Sequence, residues 1–479
     1  MKRYEQLVEL LAADIRNGQL APGARLPSIR TLTAQHGLSA STAFKAYYRL
    51  EEKGLVRARA RSGYYVIGPP LQALVSGAPE KRKSAHLSPR LAISELVFSV
   101  LDAVQHTDIV PLGSAFPDPA LFPMQRLGKS LARVGPQLNG PGMVAHLPQG
   151  HPALRQQIAL RYLAMGLAQP TDDLIVTSGA IEALNLCLSA VAQPGDLVAI
   201  ESPGFYAGLQ ALERLKMKAL EIPVHPRDGL DLAALGKALA LHPVKACWFM
   251  TSFQNPSGAS LAVEKKEALV ALLAARSIPL IEDDVYGELY FGQRPPLPAK
   301  AFDRKGLVMH CGSFSKTLAP GYRVGWVSPG RFGEQVQRLK LMTTLSASLP
   351  AQLALADYLQ HGGYDKHLRK LRHAMESQLS SLLAAVARYF PPDVRVSRPA
   401  GGYFVWVEFA AGFDALALHE AALAAGISVA PGPIFSARRS FRHCLRLNCG
   451  HPWGTRFEEA MRTLGALIRL QEPYAGADR

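Results

Sequence analysis

Five short apolar runs, at 174–177, 197–200, 246–250, 279–281 and 308–311, alternate with stretches of helical periodicity such as 181–191 and 263–276. Strands this apolar need cover on both faces, and parallel neighbours need a crossover long enough to hold a helix. The alternation predicts a mainly parallel sheet with helices on both sides, an α/β architecture. At 479 residues and 51.8 kDa the chain exceeds what one core serves, so two or more domains are expected. Apolar residues at 48%, charged residues at 19% and 35 prolines spread along the chain describe a globular protein and exclude a disordered or low-complexity one. No run of about 18 apolar residues is present, and the start, MKRYEQLVELLAADIR, is amphipathic and carries acids, unlike a targeting peptide; a cytoplasmic protein without membrane partners is expected. Cys187, Cys247, Cys311, Cys444 and Cys449 form no CxxC pair, which suits reduced thiols and predicts neither a disulfide framework nor a metal site.

Charge is uneven. Residues 1–85 hold 14 Lys+Arg against 6 Asp+Glu, so +8 of the total +15 lies on under a fifth of the chain, a candidate footprint for a polyanion. Tyr4, Leu7, Val8, Leu11 and Ile15 recur at helical spacing before Gly18. Ser28 suits the cap of a second helix that Gly37 stops after His36, and Ser39 or Ser41 the cap of a third running to about Lys53. Two helices joined by a tight Gly37-Leu-Ser turn make a helix-turn-helix. The segment from Leu55 to Val66, alternating basic with small or apolar residues around Ser62-Gly63, reads as a basic β-hairpin wing. Such a module fits a DNA duplex. The start of the third helix offers N–H groups with Ser39, Ser41 and Thr42, while Arg30, Lys45 and the wing's Arg59 and Arg61 around Gly63 supply phosphate contacts and base-edge forks.

The stretch LPSIRTLTAQHGLSASTAFKAYYRLEEKGLV, with SGYYV behind it, resembles the winged helix of the GntR family of bacterial regulators. Many members carry Arg where this chain has Ala40, which moves the weight of recognition onto Arg30 and Lys45. From Gly68 to about Pro89 the sequence lacks periodicity and is rich in Pro, Gly, Ser and charge, so 69–89 reads as a flexible linker between domains at 1–68 and 90–479.

In the long segment the expected strands end on chemistry-bearing residues. Ser178-Gly179-Ala180-Ile181 leaves a strand and opens a helix, a geometry that directs N–H groups at a phosphate. Asn255 lies in TSFQNPSG, Asp283 and Tyr286 in EDDVYGEL, and Lys316 in GSFSKTLAPGYRVGW with Arg323 seven residues on. GSFSKT is not a nucleotide P-loop, because Ser315 stands where that motif needs Gly. An amine deprotonated near neutral pH, a carboxylate for a protonated pyridine and a grip for phosphate are together what pyridoxal 5′-phosphate (PLP) demands.

The order of these motifs resembles the fold-type I PLP-dependent aminotransferases over roughly residues 90–475, with a small C-terminal α+β subdomain at about 345–479. The resemblance implies that Lys316 forms the internal aldimine, Asp283 pairs with the pyridinium, Asn255 and Tyr286 bond the ring oxygen, and Phe205 stacks on the ring. Ser313, Ser315, Arg323 and the N–H groups of Ala180 and Ile181 would grip phosphate, and Arg446 in CLRLNCG would take a ligand carboxylate as a fork. Related sequences carry a Tyr that reaches across a dimer to the neighbour's phosphate; here the stretch is Val144-Ala145-His146, with His146 as its candidate substitute. The whole chain resembles the MocR subfamily of GntR regulators. That resemblance implies a cytoplasmic homodimer binding operator DNA and sensing PLP, an amine or an amino acid through aldimine chemistry at Lys316. The alternatives are an active aminotransferase with an accessory DNA module, and a DNA-binding protein whose large domain is only a dimerisation scaffold.

Overall fold

The computed structural model describes residues 3–16, 20, 24–52, 55–59, 63–66, 86–88, 93–102, 108–138 and 147–471. They divide into an N-terminal unit within residues 1–75 and a large unit holding nearly all the rest.

In the first unit, α1 (Arg3–Arg16), α2 (Ile29–His36) and α3 (Ala40–Glu52) are followed by the hairpin of β1 (Val56–Arg59) and β2 (Gly63–Val66). Ser28 Oγ accepts the Thr31 N–H at 3.1 Å, and Gly37 ends α2 at φ 60°, a left-handed cap that its lack of a Cβ permits. Leu7, Val8, Leu11 and Ile15 of α1 pack with Leu32, Ala43, Ala46, Tyr47, Leu50, Val56 and Val66 into one core. Residues before α2 lie along β2: the Leu26 N–H donates to the Tyr64 carbonyl and the Val66 N–H to the Ala24 carbonyl.

The large unit opens with β3 (His86–Ser88), α4 (Ser94–Asp102), α5 (Met124–Val134) and α6 (Pro152–Ala164). Strands and helices then alternate through β4 (Ile175–Thr177), α7 (Ala180–Val191), β5 (Leu197–Ser202), α8 (Tyr206–Arg214), β6 (Lys218–His225), β7 (Gly229–Leu230) and α9 (Leu232–Leu241). The alternation continues with β8 (Val244–Phe249), α10 (Val263–Ala274), β9 (Leu280–Asp283), β10 (Val308–Ser313) and β11 (Gly325–Ser328). Next come α11 (Gly333–Thr343), α12 (Leu349–His361) and the long α13 (Tyr364–Tyr389). The C-terminal part adds β12 (Arg395–Val396), β13 (Phe404–Glu408), α14 (Ala415–Ala424), β14 (Ala430–Pro431), β15 (Cys444–Asn448) and α15 (Thr455–Gln471).

The main sheet runs β3-β6-β5-β8-β9-β10-β11-β4, with β7 paired to β6. From β6 to β10 every pairing is parallel, while β11 is antiparallel to both β10 and β4. Apolar clusters pack it: one joins β5, β6 and β8 to α9 and α10, another joins β4 and β11 to α6 and α12. The small C-terminal sheet, β12-β13-β15-β14, is antiparallel throughout.

One stretch of the expected linker proves to be part of the sheet. Residues 86–88 form β3, antiparallel to β6 with Leu87 opposite Leu220. The outer side of β6 carries unpaired backbone groups that such an edge strand satisfies. Pro and charge on both sides of the three residues mask this pairing in the composition.

Candidate functional site

The direction of β11 assembles one end of the site. Because β11 opposes its neighbours, its first residue lies at the sheet edge where β4 and β10 finish: Gly325 pairs with Thr177 on one side and Ser313 on the other. Three loops therefore meet there, Ser178–Gly179 leading into α7, Phe314–Lys316 after β10, and Arg323 before β11. Arg323 Nη1 donates to Ser315 Oγ at 3.2 Å, and the hydroxyls of Ser313 and Ser315 lie 3.0 Å apart. A Cβ on Gly179 would sit 2.5 Å from Arg323 Nη2, and one on Gly325 would sit 2.7 Å from the Ala180 nitrogen. Bare backbone is what allows the guanidinium and the start of α7 to close around one point, and that point has the free N–H groups and positive helix end an anion requires. Glu182 accepts the Ser178 N–H as a capping carboxylate. Ile181 and Arg323 are exposed, so this end of the site is open.

Further along the same edge, β5, β8 and β9 deliver Phe205, Asn255 and Asp283, as ligand sites at the carboxyl ends of parallel strands do. Phe205 caps α8 and borders a small cavity with Glu201, Trp248 and Met250. Asp283 is buried, and desolvation pushes its carboxyl up to about 7, with Asp284 adding to the rise and Lys316 and His310 opposing it. The adjacent Asp284 takes a different partner: its Oδ2 lies 3.1 Å from His310 Nε2, and Tyr162 meets the other ring nitrogen at 2.6 Å. Lys316 is partly buried, and its amine is pulled down to about 7, first by desolvation, then by the positive charge of Arg446. Nζ donates to the Ala115 carbonyl at 2.9 Å and stands 3.7 Å from the centre of the Phe116 ring. Tyr286 is buried with its ring edge-on to Tyr403 and Phe404.

Arg446 closes the other end. It is wholly buried on β15, with Nη1 donating to Asn255 Oδ1 at 3.0 Å and Nη2 to the carbonyls of Gly113 at 2.6 Å and Ser114 at 3.2 Å. Its guanidinium lies 4.3 Å from the centre of the Phe404 ring, a cation–π contact strengthened by exclusion of water. The structure thus brings Lys316, Asn255, Asp283, Tyr286, Phe205, Ser313, Ser315, Arg323, Ala180, Ile181 and Arg446 to one edge of the large unit.

In the N-terminal unit Arg30, Ser39, Ser41, Lys45 and Gly63 are exposed and Thr42 is half-buried. Ser39 Oγ is 2.9 Å from Ser41 Oγ, 2.8 Å from Thr42 Oγ1, and accepts the Thr42 N–H at 3.3 Å, so the start of α3 is ringed by hydroxyls. Arg30 on α2 and Lys45 on α3 are exposed, and Lys45 Nζ lies 4.7 Å from the centre of the Tyr4 ring. Arg59 and Gly63 pair across the wing, with Gly63 at φ 104°. Arg61, Ala145 and His146 lie outside the described residues.

Comparison with known proteins joins the two halves. The gntR family of bacterial regulatory proteins matches residues 3–66, and aminotransferase class I and II matches residues 118–456. The HTH-type transcriptional regulator YdcR of Escherichia coli is 46% identical over 98% of this chain and 99% of its own length. YjiR from the same organism, also an HTH-type transcriptional regulator, is 35% identical over 98% of this chain and all of its own. This chain belongs to the MocR-type GntR regulators.

The large unit of this MocR-type regulator has the fold of working enzymes. Kynurenine aminotransferase of Pyrococcus horikoshii, solved with PMP and kynurenine, superposes with a TM-score of 0.73 at 28% identity, covering 79% of this chain and 95% of that one. The cofactor of that fold is PLP, and the residues present suit it. Asn255 Nδ2, Asp283 Oδ1 and Arg446 Nε are buried without a hydrogen-bond partner among the described residues. Buried polar atoms are normally paired, and three such atoms at one strand edge mark a place built for a polar guest. Among the described residues no helix is long and apolar enough to cross a membrane. Several neighbours escape the motif-based reading. Tyr403 donates to the Ala115 carbonyl at 3.1 Å, and Asn448 Nδ2 holds the carbonyls of Ser114 and Phe116. Glu201, pushed up to about 8 by burial, accepts the Met250 N–H. Tyr403 and Asn448 sit within recognisable motifs (PAGGYFVW and CLRLNCG), whereas nothing local in sequence ties residues 113–116 to Arg446.

Proposed function

We propose that this MocR-type regulator works as a cytoplasmic homodimer that holds PLP covalently at Lys316, meets an amine or amino acid there, and alters its binding to operator DNA in response. The observation that carries the proposal is the set of buried, unpartnered polar atoms of Asn255, Asp283 and Arg446 gathered with an amine held near neutrality. When bound, PLP supplies an aldehyde that condenses with primary amines. Lys316 offers the neutral amine that such a condensation needs. Asp283 holds a proton at the ring nitrogen, Asn255 and Tyr286 bond the ring oxygen, and Phe205 covers a ring face. Ser313, Ser315, Arg323 and the N–H groups of Ala180 and Ile181 hold the phosphate. Arg446 takes the carboxylate of an amino acid, a class supported by the kynurenine named with the Pyrococcus relative.

Arg446 also supplies the differential contact that sensing needs, since a ligand shifts an equilibrium only by preferring one arrangement. Its Nη2 bonds Gly113 and Ser114, so an arriving carboxylate competes with the 113–116 segment for the same guanidinium. A homodimer is supported by Ile181, Leu341, Met342 and Leu345, large apolar side chains left exposed on the packed pair α7 and α11 and just beyond α11. The domains proposed for this work are a DNA-reading module at 1–68 and an effector domain that begins with β3 at His86 and runs to 479, joined through the residues between them.

The test measures DNA binding by the full chain with and without PLP and a panel of amines and amino acids, beside Lys316→Ala. The parent should yield a borohydride-trapped adduct at Lys316 and a DNA affinity that changes with PLP or ligand; the variant should do neither. A variant that responds like the parent would overturn the sensing role. The completeness of the site favours a second reading, an aminotransferase with an accessory DNA module, and sustained turnover of an amino acid with an oxo acid would decide for it.

A further inference from the structure

The outward flank of α3 carries an apolar row that none of the proposed phosphate contacts uses. Ala43, Ala46, Tyr47 and Leu50 turn into the core and are at most 1% exposed. Ala40, Phe44 and Tyr48, spaced four apart and so aligned along one side of the helix, all stand in solvent, Phe44 at 55% and Tyr48 at 60%. Among the described residues of the N-terminal unit, only Leu10, Phe44 and Tyr48 expose large apolar side chains. The row begins at the hydroxyl-ringed start of α3, the part of a recognition helix that meets base edges, and lies in the most basic part of the sequence. Lys45, one residue on, has its ammonium drawn back over the Tyr4 ring.

We infer that Phe44, with Ala40 beside it, reads the C5-methyl group of thymine in the major groove. The inference rests on the DNA-binding role of this unit and adds the feature of the duplex that is recognised. A thymine methyl is the one apolar group on the floor of the major groove, and small or aromatic apolar side chains are its natural partners. An Arg at position 40 would fork onto guanine; Ala40 cannot donate a hydrogen bond from its side chain and leaves room for the ring one turn on. Four residues advance a helix by about 6 Å, close to two base-pair steps of about 3.4 Å, so Phe44 and Tyr48 reach positions about two steps apart. The Tyr48 hydroxyl is suited to the flanking phosphate.

The experiment uses the full-length chain and a duplex it selects from a randomised library. Each thymine of that duplex is replaced singly by deoxyuridine, which removes the methyl and leaves every base-pair hydrogen bond in place. In the parent, one or two positions per half-site should lose about fourfold in affinity, the worth of one buried methyl. Phe44→Leu should keep that sensitivity, and Phe44→Ala should lose it, both with unchanged melting. Arg30→Ala should instead lower affinity while leaving the positions of deoxyuridine sensitivity unchanged. A flat deoxyuridine scan for a parent that still prefers its selected duplex overturns the thymine reading and leaves DNA binding standing. Failure to select any duplex overturns both. A Phe44→Ala protein that keeps the parent's scan but changes its oligomeric state assigns the row to a protein contact and overturns the inference.

Discussion

Arg30 and Lys45 of the N-terminal unit stand in water, while Arg446 of the large unit has no exposed surface and Lys316 is partly enclosed. The same two cation types are put to opposite uses. At the surface a cation acts through a field that salt screens, which suits reversible binding along a phosphate chain. In the site Arg446 and Lys316 are withdrawn from water, and for Lys316 the consequence is chemical: burial and the neighbouring guanidinium turn a permanent ammonium into an amine poised near neutrality. Exposure keeps the first pair as electrostatic handles, and enclosure makes the second pair chemical.

The largest separation of the two should come from salt. Raising it from about 50 to about 200 mM should weaken DNA binding by roughly 10³- to 10⁵-fold if six to ten phosphates are neutralised, a slope read from affinities across a salt series. Covalent capture of PLP at the enclosed amine, followed by trapped mass, should change far less over that range. Equal salt sensitivity for both would mean that the site is no more shielded than the surface.

A smaller effect should follow from Gly325→Ala. The added Cβ would lie 2.6 Å from the Gly179 carbonyl carbon and 2.7 Å from the Ala180 nitrogen, both backbone, so the start of α7 must retreat. Overpacking of this kind costs about 1–3 kcal/mol, which placed on the phosphate grip is roughly a 5- to 150-fold loss in PLP affinity. Titration of the bound cofactor's absorption measures it, while affinity for unselected DNA should hold. Loss of DNA binding in step with PLP would break the contrast between the units.

The sequence makes some of this legible and hides the rest for physical reasons. The strands at β4, β5, β8, β9 and β10 are apolar on both faces and stand out within a residue or two of their observed ends. β6 does not, because Lys218, Glu221 and Pro223 interrupt it, and its place is fixed by six paired positions with β5 that no local pattern encodes. β11 is a bare Gly-Trp-Val-Ser whose reversed direction sets the geometry of the anion grip, and direction is a property of the sheet. Short motifs deliver Lys316, Asn255, Asp283 and Arg323 because their chemistry is local. The carbonyls of Gly113, Ser114 and Ala115 that meet Arg446 and Lys316 have no side-chain signature, so only the folded chain places them.

The finest contrast between the two kinds of cation is in pH. An ordinary lysine titrates near 10.4, whereas Lys316 titrates at about 7 in the fold, so at pH 7.5 its reactive neutral fraction is larger by about three orders of magnitude. PLP capture by the cofactor-free chain should therefore rise through about pH 7 and then flatten. The sign for stability follows from the same shift. Between about 7 and 10.4 the unfolded chain holds a proton on this lysine that the folded chain has released, so this group makes folding more favourable as pH rises through that window, and the gain is lost as pH falls through about 7. Asp283 acts oppositely at lower pH: its carboxyl is raised from 3.8 to about 7, so its contribution is greatest below 3.8 and fades as pH climbs towards 7. Arg446→Met removes a charge that lowers the Lys316 value, so the midpoint for capture should move upward and the window above it should narrow. The variant also leaves the Gly113 carbonyl without its short bond, so melting is followed beside capture, with a destabilisation of about 1–3 kcal/mol expected. A parent midpoint near 10, or an Arg446→Met midpoint equal to the parent's, would show that enclosure does not set the chemistry of Lys316 and that the two regions use their cations alike.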